Sequence, residues 1–292
     1  MNRFLKRLAQ PGILVADGAT GTMLQKAGLP VGAPSELWVL ENPDGVRDLH
    51  RSYVKAGSDV ILTDTFGGSR TKLEKTGLGE KVVEINRKAA QLAREVAGEK
   101  VIVFGDIGPT GALLEPLGDL SEAEAITVFA EQAGALAEGG VDAILIETIS
   151  DLSEAIAAVK GARQVTDLPV LVTFSFDTHG RTMMGVKPAK AVKEMSALGV
   201  DVIGANCGRT LTENLAAIQE MRQAVPDAVL MAKPNAGLPH TDGSGSVYDV
   251  TPEIIAEYAR KFADLGVRIL GTCCGSTPEH IRAVAGALKP VK

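Results

Sequence analysis

Cysteine occurs at positions 207, 273 and 274 and nowhere else in the 292-residue chain. Cys207 closes the run Val202-Ile203-Gly204-Ala205-Asn206-Cys207, and the other two close Ile269-Leu270-Gly271-Thr272-Cys273-Cys274. Each run reads as a short apolar strand that stops at glycine-rich turn chemistry, so the thiols are expected to project from strand ends. Three thiolates offer Zn²⁺ three soft ligands and leave its fourth position free, the pattern of a catalytic rather than a closed structural site. Two plainer readings stand beside this one. Free cysteine is among the most buried residue types, and three core thiols without a task would look the same. A disulfide is disfavoured, because an odd count leaves one thiol over and nothing else marks the chain as secreted.

The elements that must carry these thiols follow from composition and pattern. Hydrophobic residues make up 45% of the chain and aromatics 4%, so aliphatic side chains and alanine must build the core, as in parallel sheets buried on both faces. The net charge of −6 comes from interspersed acids and bases without a basic tract, which argues against nucleic acid or an anionic membrane as partner. The start, Met1-Asn2-Arg3-Phe4-Leu5-Lys6-Arg7-Leu8, is basic but is followed by Pro11 and Gly12, and no apolar run is long enough for a signal peptide or a span. The expectation is a cytoplasmic protein, whose reducing surroundings suit metal-bound thiolates.

Short β-rich runs fall at 13–17, 59–65, 101–106, 143–148, 169–176, 201–207, 228–234 and 267–273, with helical spacing between most of them, as at 82–96 and 123–136. Ser121 with Glu124 and Asp151 with Glu154 have capping-box spacing. Thr251-Pro252-Glu253 and Thr277-Pro278-Glu279 each set a cap, a proline at the first helical position and an acid near the positive end of the helix. Eightfold strand–helix alternation predicts one (β/α)₈ TIM barrel over residues 1–292, with the active site at the carboxyl ends of the strands. An open doubly wound sheet is the runner-up, but no GxGxxG opens the first helix. The predicted ends carry Asp17-Gly18, Thr63-Asp64-Thr65, Asp106, Glu147-Thr148, Phe176-Asp177, Asn206-Cys207, Pro234-Asn235 and Cys273-Cys274. Turn capping explains such residues singly. It does not explain why all three cysteines stand at two of these ends.

Taken in order, Asp17-Gly18-Ala19-Thr20-Gly21-Thr22, Thr63-Asp64-Thr65-Phe66-Gly67, Gly105-Asp106-Ile107-Gly108-Pro109-Thr110-Gly111, Glu147-Thr148, Asn206-Cys207, Pro234-Asn235-Ala236-Gly237 and Gly271-Thr272-Cys273-Cys274-Gly275 resemble the homocysteine S-methyltransferase domain family. Within it, the likeness is greatest to the homocysteine-binding module of cobalamin-dependent methionine synthase. The resemblance implies that Cys207, Cys273 and Cys274 bind zinc, with the sulfur of homocysteine as fourth ligand. It implies further that Glu147 meets the α-ammonium, that Thr65 and the backbone near Phe66 meet the α-carboxylate, and that Asp17 with Gly18 shapes the floor. Asn235 is a candidate lid residue or a plain turn residue. The implied reaction is methyl transfer to the homocysteine thiol to give methionine. A methylcorrinoid such as methylcobalamin, linked to methylfolate and carried by a separate protein, is the expected donor. S-methylmethionine, a betaine, or a role as non-catalytic zinc- and thiol-binding subunit of a corrinoid complex are the alternatives. With little chain after the eighth strand, no folate or cobalamin module is expected within it, although one module of a longer enzyme would read the same.

One position departs from the family pattern: Asp64 stands where methionine synthases often carry Asn. It either alters how the substrate carboxylate or the donor is met, or points its charge into solvent. The run His240-Thr241-Asp242-Gly243-Ser244-Gly245-Ser246 reads as a loop above the site. Asp48-Leu49-His50 imitates the start of a corrinoid-binding DxHxxG, but Tyr53 replaces the glycine and the segment has helical spacing. His179, His240 and His280 are isolated and expected to be exposed. Met183-Met184, after the fifth strand, could line an apolar patch where a donor docks.

Overall fold

In the computed structural model, residues 2–241 and 246–288 are described. Eight parallel strands form one sheet in the order β1-β10-β7-β6-β5-β4-β3-β2. They are β1 (Leu14–Val15), β2 (Val60–Leu62), β3 (Ile102–Ile107), β4 (Ala143–Ile149), β5 (Val170–Phe174), β6 (Val202–Cys207), β7 (Leu230–Pro234) and β10 (Val267–Leu270). Two further strands, β8 (His240–Thr241) and β9 (Ser246–Val247), pair as an antiparallel hairpin after β7 that the sequence pattern did not announce. Residues 242–245 of the loop read there lie outside the described residues. Helices alternate with the sheet strands, including Val82–Ala97 and Glu122–Glu138 where helical spacing predicted them. The architecture is the (β/α)₈ TIM barrel.

Side chains hold the seam between the first two strands. The N–H of Asp59 donates to the Val15 carbonyl at 2.6 Å, and Asp59 Oδ2 accepts from the N–H of Val15 at 2.9 Å. Further up, Asp17 Oδ2 accepts from the N–H of Leu62 at 2.8 Å. Both carboxylates supply acceptors that a missing ladder carbonyl would otherwise provide.

Alternation along the strands separates two cores. Ile102 and Phe104, Ala143 and Leu145, Val202, Met231 and Ile269 form one cluster inside the barrel, while Val103, Ile144, Ile146, Val172, Ile203 and Ala232 belong to the cluster shared with the helices. The opening segment contains a helix, Arg3–Leu8, whose fully buried Phe4 joins the inner cluster and meets Phe104 edge-on at 4.9 Å. The inner face continues with the same period of two into Asp106, Glu147, Asn206 and Lys233, so the last layer of the interior is polar.

The predicted caps form at Ser121 and Thr251 and take another form at Asp151. Ser121 and Glu124 form a full capping box, and Thr251 accepts from the N–H of Ile254. Asp151 caps through Ser153 instead of pairing with Glu154. The Glu154 carboxylate is drawn away to the loop after β3, where Thr110 gives it both an N–H and a hydroxyl, at 2.8 and 2.6 Å. His179 and His240 are exposed as expected, but His280 is 7% exposed. Its ring is tied down by Thr277 on one side and by the Val250 carbonyl at 2.7 Å on the other. Asp48-Leu49-His50 lies within the helix Pro43–Ala56, with His50 buried. Among the described residues, no helix is long and apolar enough to cross a membrane.

Candidate active site

The end of β7 runs between the two cysteine-bearing ends and bonds to both. The N–H of Cys273 donates to the Pro234 carbonyl at 2.8 Å, that of Ala236 to Cys274 at 2.9 Å, and that of Asn235 to Cys207 at 3.4 Å. Strict alternation would point Cys207 at the helices, because its neighbour Asn206 faces the interior. The backbone at Cys207 instead turns left-handed (φ 52°), as it does at Thr148 opposite (φ 65°), and the thiol swings inward. Such strain in a non-glycine residue persists only where the surroundings fix it. Here they do: Asn206 Oδ1 accepts from the Thr148 N–H at 2.9 Å and the Thr173 hydroxyl at 2.8 Å, while its Nδ2 donates to Thr148 Oγ1 at 2.6 Å and Cys207 Sγ at 3.4 Å. Gly275, after the cysteine pair, also takes a left-handed φ of 79°, and a Cβ there would stand 2.1 Å from the Tyr248 ring.

All three cysteines are free thiols, with Cys207 and Cys273 sulfurs 3.2 Å apart. The three sulfurs lie within 4.8 Å of one another, the one cluster of metal-capable groups found among the described residues. Crowding and burial push the Cys207 thiol well above its ordinary range. Three thiolates at this spacing repel one another unless a cation sits among them, and sulfur ligands suit zinc.

Facing the thiols is a wall of buried charge. Lys233, 2% exposed, places Nζ 3.5 Å from Asp17 Oδ1 and 3.6 Å from Glu147 Oε2. Those two oxygens and Asp106 Oδ1 are buried without a hydrogen-bond partner. Burial raises Asp17 to about 6 and Glu147 to about 7, with Lys233 pulling both down, and holds Asp106 well above the usual carboxylate range. Burial alone would discharge Lys233, but Glu147 and Asp17 keep it a cation. The wall therefore carries more carboxylate than cation and is suited to a positively charged ligand group.

The thiols with Lys233, Glu147 and Asp106 line one cavity of about 500 Å³, closed on the other side by the loop 18–22 and by Ser35, Glu36, Asp64, Phe66 and Gly67, and Asp17 lies outside that lining. Gly18 is required by close approach, since a Cβ there would stand 2.6 Å from Ser276 Oγ and 2.8 Å from the Tyr53 hydroxyl. Phe66 lines the cavity with Lys72 Nζ 4.5 Å from its ring centroid. Thr65 does not reach it: its hydroxyl donates to the Asp106 carbonyl at 2.7 Å. Asn235 stands outside the lining as well, donating from Nδ2 to the Gly208 carbonyl at 2.9 Å and so bracing the turn after Cys207. Phe66, Leu113, Leu117, Met183 and Leu238, all exposed, sit on loops that follow barrel strands.

The family model for homocysteine S-methyltransferase matches residues 14–288. The chain belongs to that family. This methyltransferase domain is 34% identical over 300 residues to the methionine synthase of Mycobacterium tuberculosis and 34% over 305 residues to that of Mycobacterium leprae. The alignments take in 96% and 97% of the chain but 25% of each relative, so the domain spans about a quarter of their length. Among solved structures, it is similar to the homocysteine methyltransferase MmuM from Escherichia coli, with a TM-score of 0.81 and 22% identity to the metallated form, over 97% of this chain and 98% of that one. The oxidized form gives 0.78 and 24%, covering 98% of this chain and 99% of that one. At that identity the likeness speaks for the fold.

Lys233 and the connecting role of Asn206 escaped the sequence reading. The alternation that buries Met231 also buries Lys233, and a lysine inside an apolar strand was the signal available.

Proposed function

We propose that the domain transfers a methyl group to the thiol of homocysteine, giving methionine, with Zn²⁺ held by Cys207, Cys273 and Cys274. The observation that carries this is the convergence of three sulfurs at one end of a cavity whose adjoining wall has buried carboxylate oxygens without a hydrogen-bond partner. When bound, the ion supplies a Lewis acid at which a thiol gives up its proton near neutral pH.

The protein's own groups do the placing. Glu147 takes the α-ammonium beside the open oxygen of Asp106, and Gly18 forms the floor, with Asp17 acting on the site through Lys233. Lys233 keeps the carboxylates of Glu147 and Asp17 in place without filling all of their acceptor positions. Asn206 holds Cys207 in its left-handed turn and lends its sulfur an N–H. The backbone at Phe66-Gly67 borders the carboxylate end, the Thr65 hydroxyl being committed to Asp106. The substrate sulfur then donates a lone pair to the methyl carbon as the bond to the donor breaks, and that bond's electrons leave with the donor. The uncharged thioether that results is a poorer ligand and departs.

For the donor we favour a methylcorrinoid presented by a separate protein. The segments around Asp106 and Pro234, and the 34% identity to proteins named methionine synthase, support that choice.

The test is methionine formation by the zinc-loaded domain from homocysteine and free methylcobalamin. One zinc per chain and turnover that vanishes in Cys207→Ser are expected. Turnover with S-methylmethionine or a betaine in its place would move the donor assignment. Zinc binding without turnover from any donor would favour a thiol-binding subunit, and a chain that holds no zinc would sink the metal reading.

A further inference from the structure

Methyl transfer as described leaves Asp64 without a task. It stands just past β2, is 1% exposed, and lines the same cavity as the cysteines. Its Oδ1 accepts from the Ser35 hydroxyl at 2.5 Å, while its Oδ2 is buried with no hydrogen-bond partner. Glu36, buried in the same wall, repels it. Two carboxyls so placed do not both ionise. Burial, then the neighbouring Glu36, raise Asp64 to about 8 against the pull of Ser35.

The groups around the pair decide which member keeps the proton. Glu36 accepts the N–H of Gly67 and feels the ammonium of half-buried Lys72. Asp64 has the Ser35 hydroxyl and no cation acting on it. The negative charge therefore rests on Glu36 and the proton on Asp64. Since Oδ1 is the acceptor for Ser35, the O–H belongs to Oδ2.

On the proposed reading, an amino-acid thiol in this cavity has its sulfur among the cysteines and its ammonium on the wall of Glu147 and Asp106. Its carboxylate is left to the opposite side, where an anion needs donors. Lys233 is already shared between Asp17 and Glu147, and Thr65 is spent on Asp106. Among the buried side-chain atoms described on that side, Thr22 Oγ1 and Asp64 Oδ2 have no hydrogen-bond partner. We propose that Asp64 is a specificity-determining residue that acts as a neutral acid, donating a hydrogen bond from Oδ2 to the α-carboxylate of the substrate. This rests on the reading of homocysteine as substrate. It gives an aspartate the hydrogen-bonding task that an asparagine could also perform.

The test is calorimetric binding to the zinc-loaded domain of two ligands, homocysteine and 3-aminopropane-1-thiol, which lacks the carboxylate. Wild type, Asp64→Asn and Asp64→Ala are compared between about pH 7 and pH 9.5, bracketing the range in which a proton so held is lost. Asp64→Asn should bind homocysteine within about threefold of wild type near pH 7. Asp64→Ala should lose about tenfold or more, the cost of one hydrogen bond to a charged group. The carboxylate-free thiol should not distinguish the three proteins. As pH rises, wild type should lose homocysteine affinity more steeply than Asp64→Asn, because ionised Asp64 repels the carboxylate. Comparing the variants cancels the titration of the ligand's own thiol and ammonium.

Parallel pH profiles for wild type and Asp64→Asn, or equal losses for both ligands in Asp64→Ala, would overturn the proposal. So would an Asp64→Asn protein that binds homocysteine normally at every pH but loses turnover with cationic S-methylmethionine, since the residue would then serve the donor as an anion. If wild type binds neither thiol, the substrate reading itself has failed, and this proposal falls with it.

Discussion

Lys233 ties down two carboxylates in the barrel interior, and an isosteric apolar replacement would leave both without their cation. Lys233→Met is expected to cost about 3–5 kcal/mol in urea unfolding at pH 8, as for breaking a buried ion pair from one side. At pH 5 the loss should shrink, because Asp17 and Glu147, already raised to about 6 and about 7, then take up protons. Asn206 poses a different question, as its amide spans Thr148, Thr173 and Cys207. Asn206→Ala should weaken zinc binding by about 10–100-fold in a chelator competition, the usual effect of losing a group that orients a ligand. An unchanged zinc affinity would mean that the left-handed turn at Cys207 holds without it. The tasks of both residues were hidden in the sequence for one reason, although Asn206 itself stood at a predicted strand end. Each stands in an apolar run that reads as a strand, and only the register across the barrel shows which faces share its interior. The cysteines were legible because their type restricts their chemistry, whereas a lysine or asparagine has too many ordinary uses.

Strand-level geometry sets how precisely the thiols meet. Gly204 on β6 lies opposite Met231 on β7, and a Cβ there would stand 2.0 Å from the Met231 carbonyl oxygen. Gly204→Ala must therefore push β6 away from β7, and β6 ends in Cys207. The expected result is a loss of about 1–3 kcal/mol, typical of overpacking, together with weaker zinc binding. Thermal unfolding with and without the ion checks both, and a stability loss with intact zinc affinity would show that the turn absorbs the shift. Most of the strands and caps were readable, since hydrophobic period and cap chemistry are local signals. The hairpin of β8 and β9 was not, being two residues per strand in a polar segment. Glu154 and His280 were misjudged because their partners, Thr110 and Val250, lie on other loops, and sequence spacing cannot see across the barrel rim.

For the whole molecule, the buried acids make stability depend on pH in a definite direction. Asp64 and Asp17 hold their protons more tightly in the fold than in the unfolded chain, with values raised to about 8 and about 6. Such groups contribute fully below their ordinary range, and that contribution drains away as pH climbs to the folded-state value. The unfolding midpoint should therefore fall from about pH 5 to pH 9, and Asp64→Asn should flatten the upper part of that decline. A midpoint that rises across the range would contradict the protonated reading of these acids. The placement of the cysteines has a mechanical side too. Cys207 belongs to β6 and the pair Cys273-Cys274 follows β10, so the proposed ion, shared among them, would be a clasp across the arc of barrel that contains β7, the hairpin and the helix Pro252–Asp264. Unclasping removes a loop-closing constraint from that arc alone. Deuterium uptake on chelation should accordingly rise first in β6, β7 and β10, while β2 to β4 keep their protection as a separately opening unit.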